Sequence, residues 1–292
     1  MTKGLEANQT GAEFTSTDYY DSFDNDGFTI AAGAGGAGNG SSQTAVNYCW
    51  KAGTAFSNDA SSTGVGSIDS SGSVNDTAGF SIVIRTGTGS AGTIKHGLST
   101  TPQMIITKMR NAQESWGVYN VHIGNTKYLK LEGNAAEDSS SGVWNNTTPT
   151  SSVLSVGNSA LVNGSNKTYV DYIFSERKGY SKFGKYEGAS SADGEFIYTG
   201  FKPAFFMARA TGRSENWYIF DTKRDGYNVD NDQLYPDVNN AEATTDYLDI
   251  LSNGVKYRYN SVGLNGSGEE YIYMAFAENP FVTSTGVPSC AR

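Results

Sequence analysis

The sequence is short of the residues that build compact metal or nucleophile sites, with two cysteines, Cys49 and Cys290, and two histidines, His96 and His122, in 292 residues. Two cysteines are too few for a disulfide framework, and a zinc site built on Cys and His would need nearly every available ligand. Both cysteines read as free thiols, with Cys49 a small core residue of an apolar segment. Basic residues are outnumbered 21 to 30, which leaves a net charge of −9, and no Lys/Arg cluster supplies the footprint of nucleic-acid binding. Long apolar runs are missing too. The longest, Tyr271-Ile272-Tyr273-Met274-Ala275-Phe276-Ala277, is far short of the roughly 20 residues a bilayer helix needs, so no membrane insertion is expected. No apolar stretch follows Met1-Thr2-Lys3-Gly4-Leu5-Glu6, so no secretory signal is expected either. General disorder is excluded from the other side, because charged residues are only 17% and aromatics 12%, the reverse of a disordered composition.

What is present is repetition. Asn39-Gly40-Ser41 precedes Trp50, Asn163-Gly164-Ser165 precedes Phe174, and Asn265-Gly266-Ser267 precedes Phe276, with 8 residues between in each case. The segments before those aromatics align without a gap: Ala45-Val46-Asn47-Tyr48-Cys49-Trp50, Tyr169-Val170-Asp171-Tyr172-Ile173-Phe174 and Tyr271-Ile272-Tyr273-Met274-Ala275-Phe276. Each reads as a strand behind a polar turn, apolar enough to be central and covered on both faces. A second block pairs Pro102…Trp116 with Pro203…Trp217, a strand, a polar turn and a strand opening on Trp, which is a β-hairpin. Upstream, Gly79-Phe80-Ser81 aligns with Gly179-Tyr180-Ser181.

This predicts an all-β chain of tandem antiparallel β-sandwich-like repeats. Repeat 1 spans 77–178 and repeat 2 spans 179–285, each with about seven short strands. An N-terminal half-repeat over 1–76 precedes them, for attachment or oligomer contact, and a tail over 286–292 follows. The half-repeat lacks the hairpin block, so its sheet edges call for a partner, either a neighbouring domain or another subunit; the second is favoured, and a homo-oligomer, with a trimer as first candidate, is expected.

The motifs that resemble chemistry mostly dissolve in the repeat. Gly33-Ala34-Gly35-Gly36-Ala37-Gly38 matches a dinucleotide fingerprint in letters, but it leads into a strand rather than a helix. Asp24-Asn25-Asp26-Gly27 reads as a turn before a calcium loop, since no Glu follows at the twelfth position. Asp225, Asp230, Asp232 and Asp237 cluster in a long unmatched segment, where solvated carboxylates are the ordinary case. Repeat 2 has Tyr198-Thr199-Gly200-Phe201 where repeat 1 has His96, so no duplicated active site exists; no cofactor and no enzymatic role are expected. A carboxylate pair for glycoside hydrolysis stays open as the minor alternative. Trp50, Trp116 and Trp217 recur in register and belong to cores. Trp144, Tyr227 and Tyr235 have no counterpart in the other repeat and are the ligand-binding candidates: an aromatic among Asn, Thr and Asp residues can stack a sugar ring.

Several phrases carry a likeness: Tyr48-Cys49-Trp50-Lys51-Ala52-Gly53, Ala78-Gly79-Phe80-Ser81-Ile82-Val83, His96-Gly97-Leu98 with Pro102-Gln103-Met104-Ile105-Ile106, and Thr126-Lys127-Tyr128-Leu129. Others are Gly179-Tyr180-Ser181-Lys182-Phe183-Gly184, Tyr198-Thr199-Gly200-Phe201-Lys202-Pro203-Ala204-Phe205 and Tyr273-Met274-Ala275-Phe276-Ala277-Glu278-Asn279-Pro280-Phe281. From Asp21 to Phe281 the chain resembles a family of domains in tailed bacteriophages, notably marine ones, whose members are tail-fibre or virion structural proteins. The resemblance implies a virion location after synthesis in the host cytoplasm, other virion proteins as partners, and a host-surface glycan or protein as the receptor. It brings no catalytic residue with it. Longer relatives carry a lectin-like or laminin-G-like sandwich before this region. Its lack here leaves a distal tip, an adaptor-bound short fibre, and a capsid-decorating appendage or head fibre without a receptor role as alternatives.

Overall fold

In the computed structural model, which describes residues 2–16, 19–24, 27–31, 40–224, 228 and 230–278, the chain is all-β with a few one-turn helices. The leading segment forms β1 (Thr2–Gly4), β2 (Phe14–Ser16), β3 (Tyr20–Phe23), β4 (Phe28–Ile30), β5 (Thr54–Asn58), α1 (Ala60–Thr63) and β6 (Ser70–Asn75). Repeat 1 follows with β7 (Phe80–Thr86), β8 (Gly92–Lys95), β9 (Met104–Met109), β10 (Trp116–Asn120) and β11 (Lys127–Lys130). It closes with β12 (Asp138–Ser139), α2 (Ser141–Trp144), β13 (Val153–Val156), α3 (Ala160–Asn163) and β14 (Thr168–Phe174). Repeat 2 has β15 (Ser181–Glu187), β16 (Phe196–Tyr198), β17 (Pro203–Ala210), β18 (Tyr218–Asp221) and β19 (Asp230–Gln233). It ends with β20 (Ala243–Leu251), β21 (Gly254–Tyr257), α4 (Val262–Asn265) and β22 (Glu270–Ala277).

The strand order β10-β9-β14-β7 of repeat 1 recurs as β18-β17-β22-β15 in repeat 2, and the small sheet β13-β8 recurs as the pair β21-β16. Each repeat packs its small sheet on its large one, around Val83, Ile105, Trp144 and Ile173 in repeat 1 and around Phe206, Phe220, Tyr257 and Tyr273 in repeat 2. The outer faces of the two large sheets then meet in a third core, which joins Met104, Trp116 and Phe174 to Phe205, Trp217 and Phe276. β14 and β22 are apolar on both faces for this reason. Phe174 and Phe276 serve the shared core, while Ile173 and Tyr273 serve the core of their own repeat.

The Asn-Gly-Ser turns explain themselves chemically. Asn163, fully buried, donates to Ser90 O (2.7 Å) and Gly157 O (2.9 Å) and accepts from Thr88 N–H (2.9 Å). Asn265 does the same with Ser191 O (2.8 Å), Tyr259 O (2.9 Å) and Ala189 N–H (2.9 Å). Six residues on, the Tyr169 hydroxyl donates to Ala160 O (2.6 Å) and accepts from Gly164 N–H (2.6 Å). Tyr271 repeats the latch on Val262 O (2.6 Å) and Gly266 N–H (2.8 Å). Each tyrosine thus ties the turn N–H to a carbonyl of the preceding helical turn through one hydroxyl, which holds the strand to its turn.

Three expectations are corrected. Residues 45–50 form no strand: no described strand pairs with them, and the latch position there is Ala45, which has no hydroxyl. The segment instead runs extended, with Tyr48, Trp50 and Ala52 packed against the shared core and Cys49 exposed, so Cys49 is not a core residue. The half-repeat is also not a partial sandwich: its strands find their partner in the neighbouring repeat, where β6 pairs along β7 and β5 along β6, which extends the large sheet of repeat 1 to eight strands with β5 at its edge. In the third case the pairing register sets Phe80 opposite Phe174 and Ser181 opposite Phe276, so the match of Gly79-Phe80-Ser81 to Gly179-Tyr180-Ser181 is out by one residue.

Candidate functional site

Two grooves occupy equivalent places, one in each repeat, beside the end of β7 or β15 and the following Asn-Gly-Ser turn. In repeat 1 the groove, of about 750 Å³, is walled by Asn58, Asp59, Ser71, Thr88, Arg110 and Asn166 among others. Its lining residues are mostly Ser, Thr, Asn, Asp and Arg, with the exposed Ile84 as an apolar wall. Arg85 reaches it from below, with its guanidinium held by Asp171 (Nε–Oδ2 2.7 Å, Nη2–Oδ1 3.1 Å) and Nη1 buried without a partner among the described residues. Asp59 is committed to capping α1, and the hydroxyl of Ser61, with Ser62, holds its carboxyl below the usual range.

The groove of repeat 2, about 690 Å³, is lined by Lys185, Glu187, Glu195, Phe196, Tyr198 and Ser267 among others. β15 is the edge strand of its sheet, and among the described residues no counterparts of β5 and β6 cover this side. Pairing of β16 with β21 buries Ile197 and turns its neighbours outward, leaving Tyr198 63% and Phe196 41% exposed. Their register counterparts in repeat 1 are Thr93 and Lys95, so the aromatic lining belongs to repeat 2 alone. Beneath, Tyr186 stacks on Tyr271 at 4.9 Å and 10° and bonds the Tyr257 hydroxyl at 2.6 Å. Gly184 is required here, since a Cβ would lie 2.5 Å from the Tyr273 ring. Exposed aromatic faces beside carboxylates, a lysine and a serine hydroxyl suit a polyhydroxylated ring: the faces stack its C–H surface and the polar groups bond its hydroxyls.

The residues singled out from sequence lie elsewhere. Trp144 is 1% exposed and packs edge-on against Tyr119 at 5.7 Å, so its ring faces are closed to a ligand and that candidacy is corrected. Tyr235 is half-buried against Tyr218 at 5.2 Å. Tyr227 lies outside the described residues, as do Asp225, Cys290 and the run 33–38. Asp237 is a buried cap on the Trp217 N–H (3.2 Å), and burial pushes its carboxyl up to about 6. Around 24–27 the Asp24 carboxylate accepts from Ser22 (2.9 Å) and Thr29 (3.1 Å) in the β3–β4 turn. Among the described residues no group of three or more His, Cys, Asp or Glu is placed to hold a metal ion. The one sequence signal for Phe196 and Tyr198 is the alternation Phe196-Ile197-Tyr198, whose outward members are both aromatic.

His96 is fully buried; its Nδ1 accepts from Leu98 N–H (3.2 Å) and Nε2 lies 3.2 Å from Thr150 O. This arrangement fits the neutral ring, and burial pulls its pKa down to about 4. Between the unfolded value near 6.5 and 4, the unfolded chain holds a proton that the native chain does not, so this residue's share of stability falls with pH. On acidification from pH 7 to 4 the loss is on the order of 3 kcal/mol. Asp237 titrates with the opposite sign, so the His96→Gln difference in urea unfolding at pH 7 and 4.5 isolates it. A difference that does not change with pH contradicts the assignment.

Sheet layering, internal duplication and the paired grooves define a sandwich-like all-β protein with surface clefts. The chain belongs to a family described as a domain of unknown function, DUF7483, whose model matches residues 1–280. No curated protein and no solved structure matches it. Among the described residues no helix is long and apolar enough to cross a membrane.

Proposed function

We propose that this chain is a bacteriophage virion structural protein, a tail-fibre or tail-tip component, that holds host-surface glycan in the two equivalent grooves. The observation that carries the reading is the pair of outward aromatics, Phe196 and Tyr198, beside Glu187, Glu195 and Lys185. The groove of repeat 1 is a second site of the same origin, suited to a more heavily hydroxylated portion of the ligand through its serine, threonine and asparagine side chains, since Arg110 is paired with Glu13 (2.7 Å). Each contact is weak, and an oligomer on a particle multiplies them by avidity. The chemistry is recognition, with no bond made or broken in the glycan.

Tyr198→Ala tests it. The ring is exposed, so the melting temperature is expected to stay unchanged while binding to host cells or purified host polysaccharide drops about tenfold or more. Unchanged binding removes the groove from the mechanism. Capsid binding with no binding to cells or glycans is the signature of a decoration protein instead, and release of reducing sugar ends that of a depolymerase.

A further inference from the structure

The matching registers of the two repeats allow their grooves to be compared residue by residue. Repeat 1 sets Thr86 of β7 opposite Thr168 of β14, and repeat 2 sets Glu187 of β15 opposite Glu270 of β22 at the same place. On the small sheets, Gly92, Thr93 and Lys95 of repeat 1 correspond to Glu195, Phe196 and Tyr198 of repeat 2. Positive charge is gained at one position, where Lys185 stands for Ile84. One scaffold therefore carries two linings, and that of repeat 2 has added rings and carboxylates together.

Those carboxylates are unfavourable where they stand. Like charges directly opposite each other on neighbouring strands destabilise a sheet, whereas a Thr–Thr pair supports it. Lys185 relieves one member only, since its ammonium lies 2.6 Å from Glu270. Lys256, opposite Phe196, is taken by Asp193 (2.8 Å). Glu187 and Glu195 are both exposed, and among the described residues neither has a cation as partner. Packing does not call for them either, because threonine and glycine serve at the same two positions in repeat 1.

The cations of both grooves are committed: Arg85 to Asp171, Arg110 to Glu13 and Lys185 to Glu270. Neither groove has a free cation among the described residues, and the groove of repeat 2 has two free anions beside two exposed rings.

We infer that the groove of repeat 2 takes a glycan bearing protonated amino groups, an amino-sugar polymer, and discriminates against acidic glycans. The inference rests on the glycan reading of that groove and adds the chemical class of the sugar. Phe196 and Tyr198 stack the C–H face of the ring, and the same aromatic faces attract an ammonium. Glu187 at the end of β15 and Glu195 just before β16 accept the ammonium N–H groups in charge-assisted hydrogen bonds, which are stronger than those to a neutral hydroxyl. A uronate in the same place meets two anions and no free cation, on a chain whose net charge is −9.

The test titrates the full chain by calorimetry with tetramers of glucosamine, N-acetylglucosamine and galacturonate, at a pH where the amines are protonated. The glucosamine tetramer is expected to bind at least about tenfold more tightly than its acetylated form, with the advantage shrinking as salt is raised. Glu187→Gln combined with Glu195→Gln is expected to remove that advantage without lowering the melting temperature, since both side chains are exposed and Glu187 opposes a like charge. Equal or tighter binding of the acetylated or galacturonate tetramer overturns the inference, and if Tyr198→Ala abolishes that binding the glycan reading still stands. Glucosamine binding that survives both the double Gln variant and Tyr198→Ala is attraction to the net charge of the chain, and it overturns the inference too. Binding of none of the three does the same, and the effect of Tyr198→Ala on binding to host cells then decides the glycan reading separately.

Discussion

Asp171→Ala is expected to lower the stability of the protein by about 3–5 kcal/mol, the range for a buried ion pair stripped of one partner. Arg85 and Asp171 have fully buried side chains, and the carboxylate also accepts from Thr107 (2.7 Å). The variant leaves a guanidinium in the sandwich core whose Nη1 already lacks a partner, so the loss is that of an uncompensated charge rather than of one contact. Repeat 2 shows the apolar solution to the same place. The register equivalent of Arg85 is Tyr186, which stacks on Tyr271 much as the Arg85 guanidinium lies over Tyr169 at 4.7 Å. Replacing both charged residues, Arg85→Met with Asp171→Leu, is therefore expected to recover most of the loss. Urea unfolding of the two singles and the double gives the coupling. A double variant no better than Asp171→Ala alone means that the core depends on the pair's geometry and not on its charge balance.

What the sequence disclosed and what it hid divide along a physical line. The strands 168–174 and 270–277 and the hairpins opening on Trp116 and Trp217 were legible because their signal lies in apolar side chains at fixed spacing. The strand expected at 45–50 shared that pattern and failed, since a strand also needs backbone partners, which 168–174 and 270–277 find on both sides and 45–50 does not find among the described residues. The loops 5–13 and 129–137 stayed hidden because they dock on Trp116 and Trp217 through backbone carbonyls, which every residue carries. Trp144 looked specialised because it was unmatched, but its ring fills space under its own loop. The aromatics that face solvent, Phe196 and Tyr198, sat in a stretch whose alternation was short enough to pass for ordinary strand.

Arg209→Met is expected to cost about 2–3 kcal/mol, because the carbonyls of Gly133 and Ala135, in the loop 129–137, lose their donor and that of Lys130 keeps only the Trp217 indole N–H, while the apolar stem that packs on Trp217 is kept. Burial pulls the guanidinium pKa down to about 10, and the Asp237 and Glu132 carboxylates act against that desolvation. The carbonyls belong to the loop through which repeat 1 grips repeat 2, so its release weakens the joint between the repeats and is read as a lower urea midpoint for the whole chain. Lys108→Met removes the matching cation in repeat 1, where the docked loop belongs to the terminal hairpin β1–β2. Its effect is expected to be local: faster amide exchange over 3–14 with a smaller drop in the global midpoint. If the two variants destabilise the chain equally and globally, the terminal hairpin is as integral to the fold as the joint between the repeats. If Arg209→Met exposes only 129–137 to exchange, the repeats are held together by the Trp50–Phe174–Phe276 core without help from the loop.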